Sequence, residues 1–368
     1  MIVALLACVS HVQPGRVAPP MAEPEPELAP APPSPPPPSS WRTGHQSGAI
    51  VATSPVVVWS HVLDGPITEP IATDGTRFFV VSSGTVYCFD AKGAQRWAIR
   101  VDATGGVAMT ARGPVVGTQE GRVLLLDAND GATSAVLGSD AGGGAVSGLA
   151  VESEGAILWV TQRGTVGTSA GWARTVGLSA AGGLAADQDT VYVATREGNV
   201  IAANATGELW RAVLPAGAVE GATLDAMHVF VPVAASQGVP GGVVAFDRAG
   251  KEVWRRQTDF QPAASLALGV SLFLPDKDAH LYALDPATGE DRWVLEGFGD
   301  FGVQPVVVGS SVYAGNGDGN LYRVDGVDGG VAWKVQLGAP VTGEPALAGG
   351  LLVVGLANGR VVALSEGD

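Results

Sequence analysis

The chain has 368 residues, with 21 Lys+Arg against 36 Asp+Glu for a formal net charge of −15, and only 15% of it is charged and 6% aromatic. At 46% apolar it is too hydrophobic to be disordered throughout. Its scattered cations draw no basic face for a nucleic-acid backbone. Two cysteines build neither a disulfide framework nor a four-cysteine zinc site.

Residues 1–12 read as a lipoprotein signal-like segment, short enough to be a clipped one. Met1 to Ala7 is apolar and runs into Cys8. It is far shorter than the roughly 20 residues that span a bilayer, and no Lys or Arg precedes it. Leu5, Leu6, Ala7 and Cys8 resemble a bacterial lipobox, which implies lipid attachment at Cys8 and attachment to a membrane surface. Val9 and Ser10 follow, with no Asp of the kind that retains some lipoprotein at the inner membrane, so the outer membrane is favoured.

Residues 13–49 read as a Pro-rich disordered tether. Twelve of the 25 prolines lie between Pro14 and Pro38, a density that neither a helix nor a sheet ladder accepts. Some 28 such residues reach roughly 85 Å at about 3.1 Å each. Trp41 stands alone in this region and is a candidate contact between tether and domain.

Residues 50–368 carry an eightfold repeat. A small turn residue recurs at Gly84, Gly121, Gly164, Gly198, Gly241, Ala279, Gly319 and Gly359, spaced by 34 to 43 residues. Two positions on, every repeat has an aliphatic: Val86, Val123, Val166, Val200, Val243, Leu281, Leu321 and Val361. Six positions on stand Asp90, Asp127, Ala170, Asn204, Asp247, Asp285, Asp325 and Ser365, mostly residues whose side chains bond a turn backbone. Trp97, Trp172, Trp210, Trp254, Trp293 and Trp333 follow 8 to 14 residues after the small turn residue of their repeats. Such units are hairpins in series, and four strands per 40 residues is the blade of a β-propeller. The fold expected is therefore all-β, an eight-bladed β-propeller of four-stranded antiparallel blades. Its last repeat lacks a Trp strand, and Pro55 to Trp59 is an orphan strand that carries one. Strand 55–59 is expected to pair with the C-terminal repeat and close the ring, leaving no open edge there.

The repeat resembles that of pyrroloquinoline-quinone-type (PQQ-like) propellers, most clearly at Leu284-Asp285-Pro286-Ala287-Thr288 followed by Gly289-Glu290-Asp291-Arg292-Trp293. The resemblance spans Val56 to Ser365. It implies one of two branches: quinoprotein dehydrogenases, which hold quinone and calcium on the axis, or the non-catalytic lipoprotein branch typified by BamB of the outer-membrane barrel-assembly machine. The lipobox and tether fit the second. The expected protein is a lipid-anchored scaffold for protein partners in the bacterial cell envelope, with no cofactor, no metal and no catalytic residues. The alternatives are a PQQ/Ca-dependent dehydrogenase and a ligand- or sugar-sensing propeller.

The candidates for chemistry are few. Cys88 lacks the adjacent cysteine of the dehydrogenases and fills the slot of Ala202, Ala245, Ala283 and Ala363, so it reads as a buried small residue. Asp276, Asp278, Asp318 and Asp328 are calcium candidates on paper, but each falls at a turn and reads first as a solvated turn aspartate. Gly315 to Asn320 looks faintly like a calcium loop without its downstream Glu. His11, His45, His61, His228 and His280 form no metal-spaced pair. No nucleophile elbow or phosphate loop occurs. The repeat tryptophans read as blade packing rather than a stacking platform. Loops around Gly138–Gly155 and Pro232–Pro240 are candidate partner contacts.

Overall fold

The computed structural model describes Gln46, Val51 and residues 54–367, apart from 141–143, 152–154, 177–178, 188, 237 and 259. Cys8, Trp41, His11, His45 and the tether, save Gln46, lie outside the described residues. Within them, thirty-two strands, β1 to β32 in chain order, form eight antiparallel four-stranded sheets. Blade 1 is residues 72–100, and each later blade follows in sequence. Blade 8 consists of β30 (Val341–Ala348), β31 (Leu351–Leu356) and β32 (Arg360–Glu366), completed on its outer side by β1 (Pro55–Val62). The closing strand expected at 55–59 is thus present and continues to Val62, with Pro55 opposite Glu366 and Val62 opposite Arg360.

The hydrophobic core is not one mass but eight clusters, one in each seam between neighbouring blades. The period-2 geometry of a strand explains this. In blade 1, Phe78 and Val80 enter the seam with blade 8, while Phe79 and Val81 enter the seam with blade 2. Middle strands are therefore apolar at nearly every position, since both of their faces are covered.

The tryptophans bind the seams on the outer strands. In β5 (Gln95–Arg100), β17 (Gly207–Val213), β21 (Glu252–Thr258), β25 (Asp291–Glu296), β29 (Val331–Gln336) and β1, the ladder bulges just before the Trp. The bulge turns the indole toward the next blade. There its Nε1 donates to a turn carbonyl: Trp97 to Ala128 at 3.1 Å, Trp210 to Arg248 at 3.0 Å, Trp254 to Pro286 at 3.0 Å, Trp293 to Gly326 at 3.2 Å and Trp59 to Ala91 at 3.2 Å. The ring lies on the turn glycine. At Gly289, whose φ is +75°, an added Cβ would sit 2.5 Å from Trp254. The glycine answers to a left-handed backbone and to a ring at once. In the turn itself, Asp90 Oδ1 accepts from the amides of Lys92 and Ala94, and Asn204 Oδ1 from that of Thr206, as the repeat pattern required.

In blade 8 no such turn joins the outer strand to its neighbour, because β1 and β32 are not consecutive in the chain. Val51 fills the gap: its carbonyl accepts from Trp333 Nε1 at 3.0 Å and its amide donates to Tyr313 Oη at 2.9 Å. The side chain of Val51 is buried in the seam between blades 7 and 8.

Candidate functional site

The first strand of each blade is innermost, and these strands surround an axial cavity of about 1290 Å³. Side chains stitch inner strands to the neighbouring blade. Thr104 Oγ1 donates to Val146 O at 2.8 Å, Thr223 Oγ1 to Leu266 O at 3.1 Å, and Thr342 Oγ1 to Ile67 O at 2.7 Å. Gly105 and Gly106, with φ of +69° and +78°, form a bulge in the inner strand of blade 2, β6 (Ala103–Thr110), where the backbone passes close to Pro70.

The cavity wall is polar and mixed in charge. Glu69, Glu220, Glu344, Arg163, Arg196 and Gln304 line it. Enclosure in the cavity, and secondarily the Glu220 carboxylate, hold Glu69 above the usual carboxylate range. Glu220 lies against Gly182, where any Cβ would overlap its Oε2. Gln46 crosses the wall: its amide nitrogen donates to Val307 O at 2.8 Å, its Nε2 to Pro345 O at 2.8 Å, and its Oε1 accepts from Leu347 N at 2.9 Å. Gln46 is thus held on the inner strands of blades 7 and 8.

Such a wall can hold water and polar or charged small molecules. A calcium-bound quinone asks for converging carboxylates and carbonyls. Among the described residues no three His, Cys, Asp or Glu side chains gather as a metal cluster.

The residues singled out in the sequence are dispersed. Cys88 is fully buried opposite Trp97 in the ladder, and burial pushes its thiol up to about 12. Ala202, Ala245, Ala283 and Ala363 likewise face Trp210, Trp254, Trp293 and Trp59. In blade 7 the corresponding residue facing Trp333 is the larger Arg323.

Asp276 corrects the expectation of a solvated turn aspartate. It is fully buried, its Oδ1 accepts from the amides of Asp278 and His280, both at 2.9 Å, and burial raises its carboxyl above the usual range. The turn needs an acceptor at that buried position, and Asn316 supplies it uncharged in the next blade. Asp318 Oδ1 and Oδ2 accept from Asn320, and Asp328 Oδ1 from Gly330 N, which accounts for both as turn residues. His61 stacks on Phe89 in the seam between blades 8 and 1, and His228 Nδ1 lies 3.0 Å from Asp225. The stretch Gly138–Gly155 is also corrected. Its residues Val146–Val151 form β10, the inner strand of blade 3, because their alternating apolar side chains close the seam with blade 2. Of Pro232–Pro240, Pro232 and Val233 end the strand His228–Val233 and pair with Val243 and Gly242, and the excursion beyond them is held by reciprocal backbone bonds between Ser236 and Val239.

Sequence reasoning missed Glu69 and Glu220, which lie outside the repeat pattern. It also missed Val51 and Gln46; the absent turn of blade 8 was the available signal for Val51. No helix among the described residues is long and apolar enough to cross a membrane.

A closed eight-bladed ring with Trp-bound seams and an axial cavity places the chain among PQQ-like propellers. A family model described as outer membrane protein assembly factor BamB matches residues 46–167, 142–296 and 277–368, and the chain belongs to that family. Similar solved structures include BamB from Moraxella catarrhalis, 19% identical with a TM-score of 0.64 over 85% of this chain and 98% of that one. The computationally designed Ika8 protein is 16% identical with a TM-score of 0.70, over 83% and 98%. The quinohemoprotein alcohol dehydrogenase from Comamonas testosteroni is 12% identical with a TM-score of 0.66, over 89% and 80%. At these identities the likeness is one of fold. No curated protein matches the chain in sequence.

Proposed function

We propose that this protein is a non-catalytic propeller scaffold of the bacterial cell envelope, anchored through a lipid on Cys8 to the periplasmic face of the outer membrane, where it docks protein partners. The family match carries the reading. The lipobox-like Leu5–Cys8 and the Pro-rich segment after it support the anchor, since a rigid ring on a membrane needs a spacer to reach a partner.

Two measurements test it. Labelled palmitate is expected to enter the full chain and to be lost in Cys8→Ser. Crosslinking in intact envelopes is expected to return a reproducible protein partner. Absence of any crosslinked partner would sink the scaffold reading. The quinoprotein reading has the dehydrogenase's fold likeness in its favour; dye reduction with an alcohol after loading with pyrroloquinoline quinone and Ca²⁺ would replace the scaffold reading with it.

A further inference from the structure

Outer strands expose backbone groups on one side, and proteins usually guard such edges with charge. Six of the eight outer strands here carry charged residues, among them Arg96 and Arg100 in β5, Glu252, Arg255 and Arg256 in β21, and Lys334 in β29. The outer strand of blade 2, β9 (Thr133–Ser139), is also uncharged, but Val136 is its one exposed large apolar residue, and Thr133, Ser134 and Ser139 are exposed beside it. The outer strand of blade 8 is different. β1 has eight residues and no Asp, Glu, Lys or Arg, and Val56, Val57, Val58 and Val62 are 49%, 51%, 47% and 74% exposed.

We infer that β1 is a docking edge, and that its occupant is an extended, apolar strand of a partner protein with neutral or basic flanks, added to blade 8 by backbone pairing. This rests on the scaffold reading and names the surface that reading uses. β1 pairs with β32 on one side, so apart from Pro55, which has no amide hydrogen, and the bulge between Val57 and Trp59, alternate amides and carbonyls remain for a strand on the other. Of the described residues ahead of β1, Val51 is buried in the seam between blades 7 and 8 and Gln46 is bonded to inner-strand backbone of both blades, so neither covers the free edge of β1. A second copy, or an acidic strand, meets a chain of net charge −15, whose repulsion favours a basic-flanked strand.

The probe is a fluorescein-labelled eight-residue peptide of alternating Thr and Val with a Lys at each end, titrated against the full chain. Saturable binding is expected, with hydrogen-exchange protection of the β1 amides. Val57→Lys with Val62→Lys is expected to weaken it at least tenfold. Lysine already sits on β29, so the double variant should fold, and an unchanged melting curve checks this. Val136→Lys on β9 should leave binding unchanged, and a Glu-flanked peptide should bind more weakly. No binding, binding unaltered by the double variant, or a concentration-dependent dimer that the double variant abolishes would each overturn the proposal. If envelope crosslinks survive the double variant while peptide binding is absent, the edge fails and the scaffold stands. If the wild type yields no crosslinks at all, the scaffold reading itself has failed.

Discussion

The seam between blades 5 and 6 and the seam between blades 2 and 3 solve one packing problem in opposite ways. In the first, Trp254 leaves the outer strand of blade 5, lies on Gly289 and donates to Pro286 O, while small Ala245 faces it across the ladder. In the second, the sizes are exchanged: Leu125 takes the small slot and Ala135 the Trp position. The indole comes instead from the following blade, as Trp159, buried between Gly138 and Gly167, where an added Cβ would fall 2.6 and 2.1 Å from its ring. Its Nε1 is enclosed without a hydrogen-bond partner. Seam volume is thus maintained while the residue that supplies it, and the hydrogen bond, are not.

Removing either indole is expected to have the largest effect. Trp254→Ala and Trp159→Ala should each cost about 3–5 kcal/mol of stability, read by chemical denaturation, because each empties a rigid seam. Adding Leu125→Ala and Ala135→Trp to Trp159→Ala rebuilds the arrangement of the other seams. This variant should recover a large part of the loss, and no recovery would mean that the two seams are not equivalent.

Gly289→Ala is next. A left-handed residue costs on the order of 1–3 kcal/mol, and here the new Cβ also meets Trp254, so Trp254→Phe should soften the penalty. The Phe substitutions separate the seams more finely. Trp254→Phe loses the bond to Pro286 O, about 1 kcal/mol, whereas Trp159→Phe loses none and should be the milder of the two.

The smallest effects are those of pH. Glu69 and Asp276 have carboxyls raised by enclosure. The folded chain therefore binds protons more tightly than the unfolded chain, and each group lowers stability as pH rises from the ordinary carboxylate pKa through its raised folded value. Asp276→Asn, which keeps the acceptor that Asn316 provides next door, should melt higher than wild type at pH 7 and alike at a pH below the ordinary carboxylate range. Glu69→Gln should behave likewise in the cavity.

Much of the seam pattern was legible because it repeats. The anchors, the Asp turns and the tryptophans recur at near-constant spacing, and nearly all meet a local requirement: positive φ at every anchor except Gly241, which begins a strand opposite Thr258, a side-chain acceptor two residues on, or a bulky residue at a bulge. The small slot at Cys88, Ala202, Ala245, Ala283 and Ala363 was visible too, although the Trp facing it emerged only with the ladder. Trp159 was not legible, since it compensates for a neighbouring blade rather than obeying its own repeat. Asp276 misled because burial depends on what packs over a turn, here the amide of Phe301 among other groups.

The amino-acid sequence by itself determined the number of blades, their turns and the way the ring closes, because those follow from short-range backbone chemistry repeated eight times. Tertiary structure alone decided which side chains meet across seams, which carboxylates share the axial cavity and which rim strand stands bare. Those are contacts between segments far apart in the chain, set by the closure of the ring and carrying no local signature.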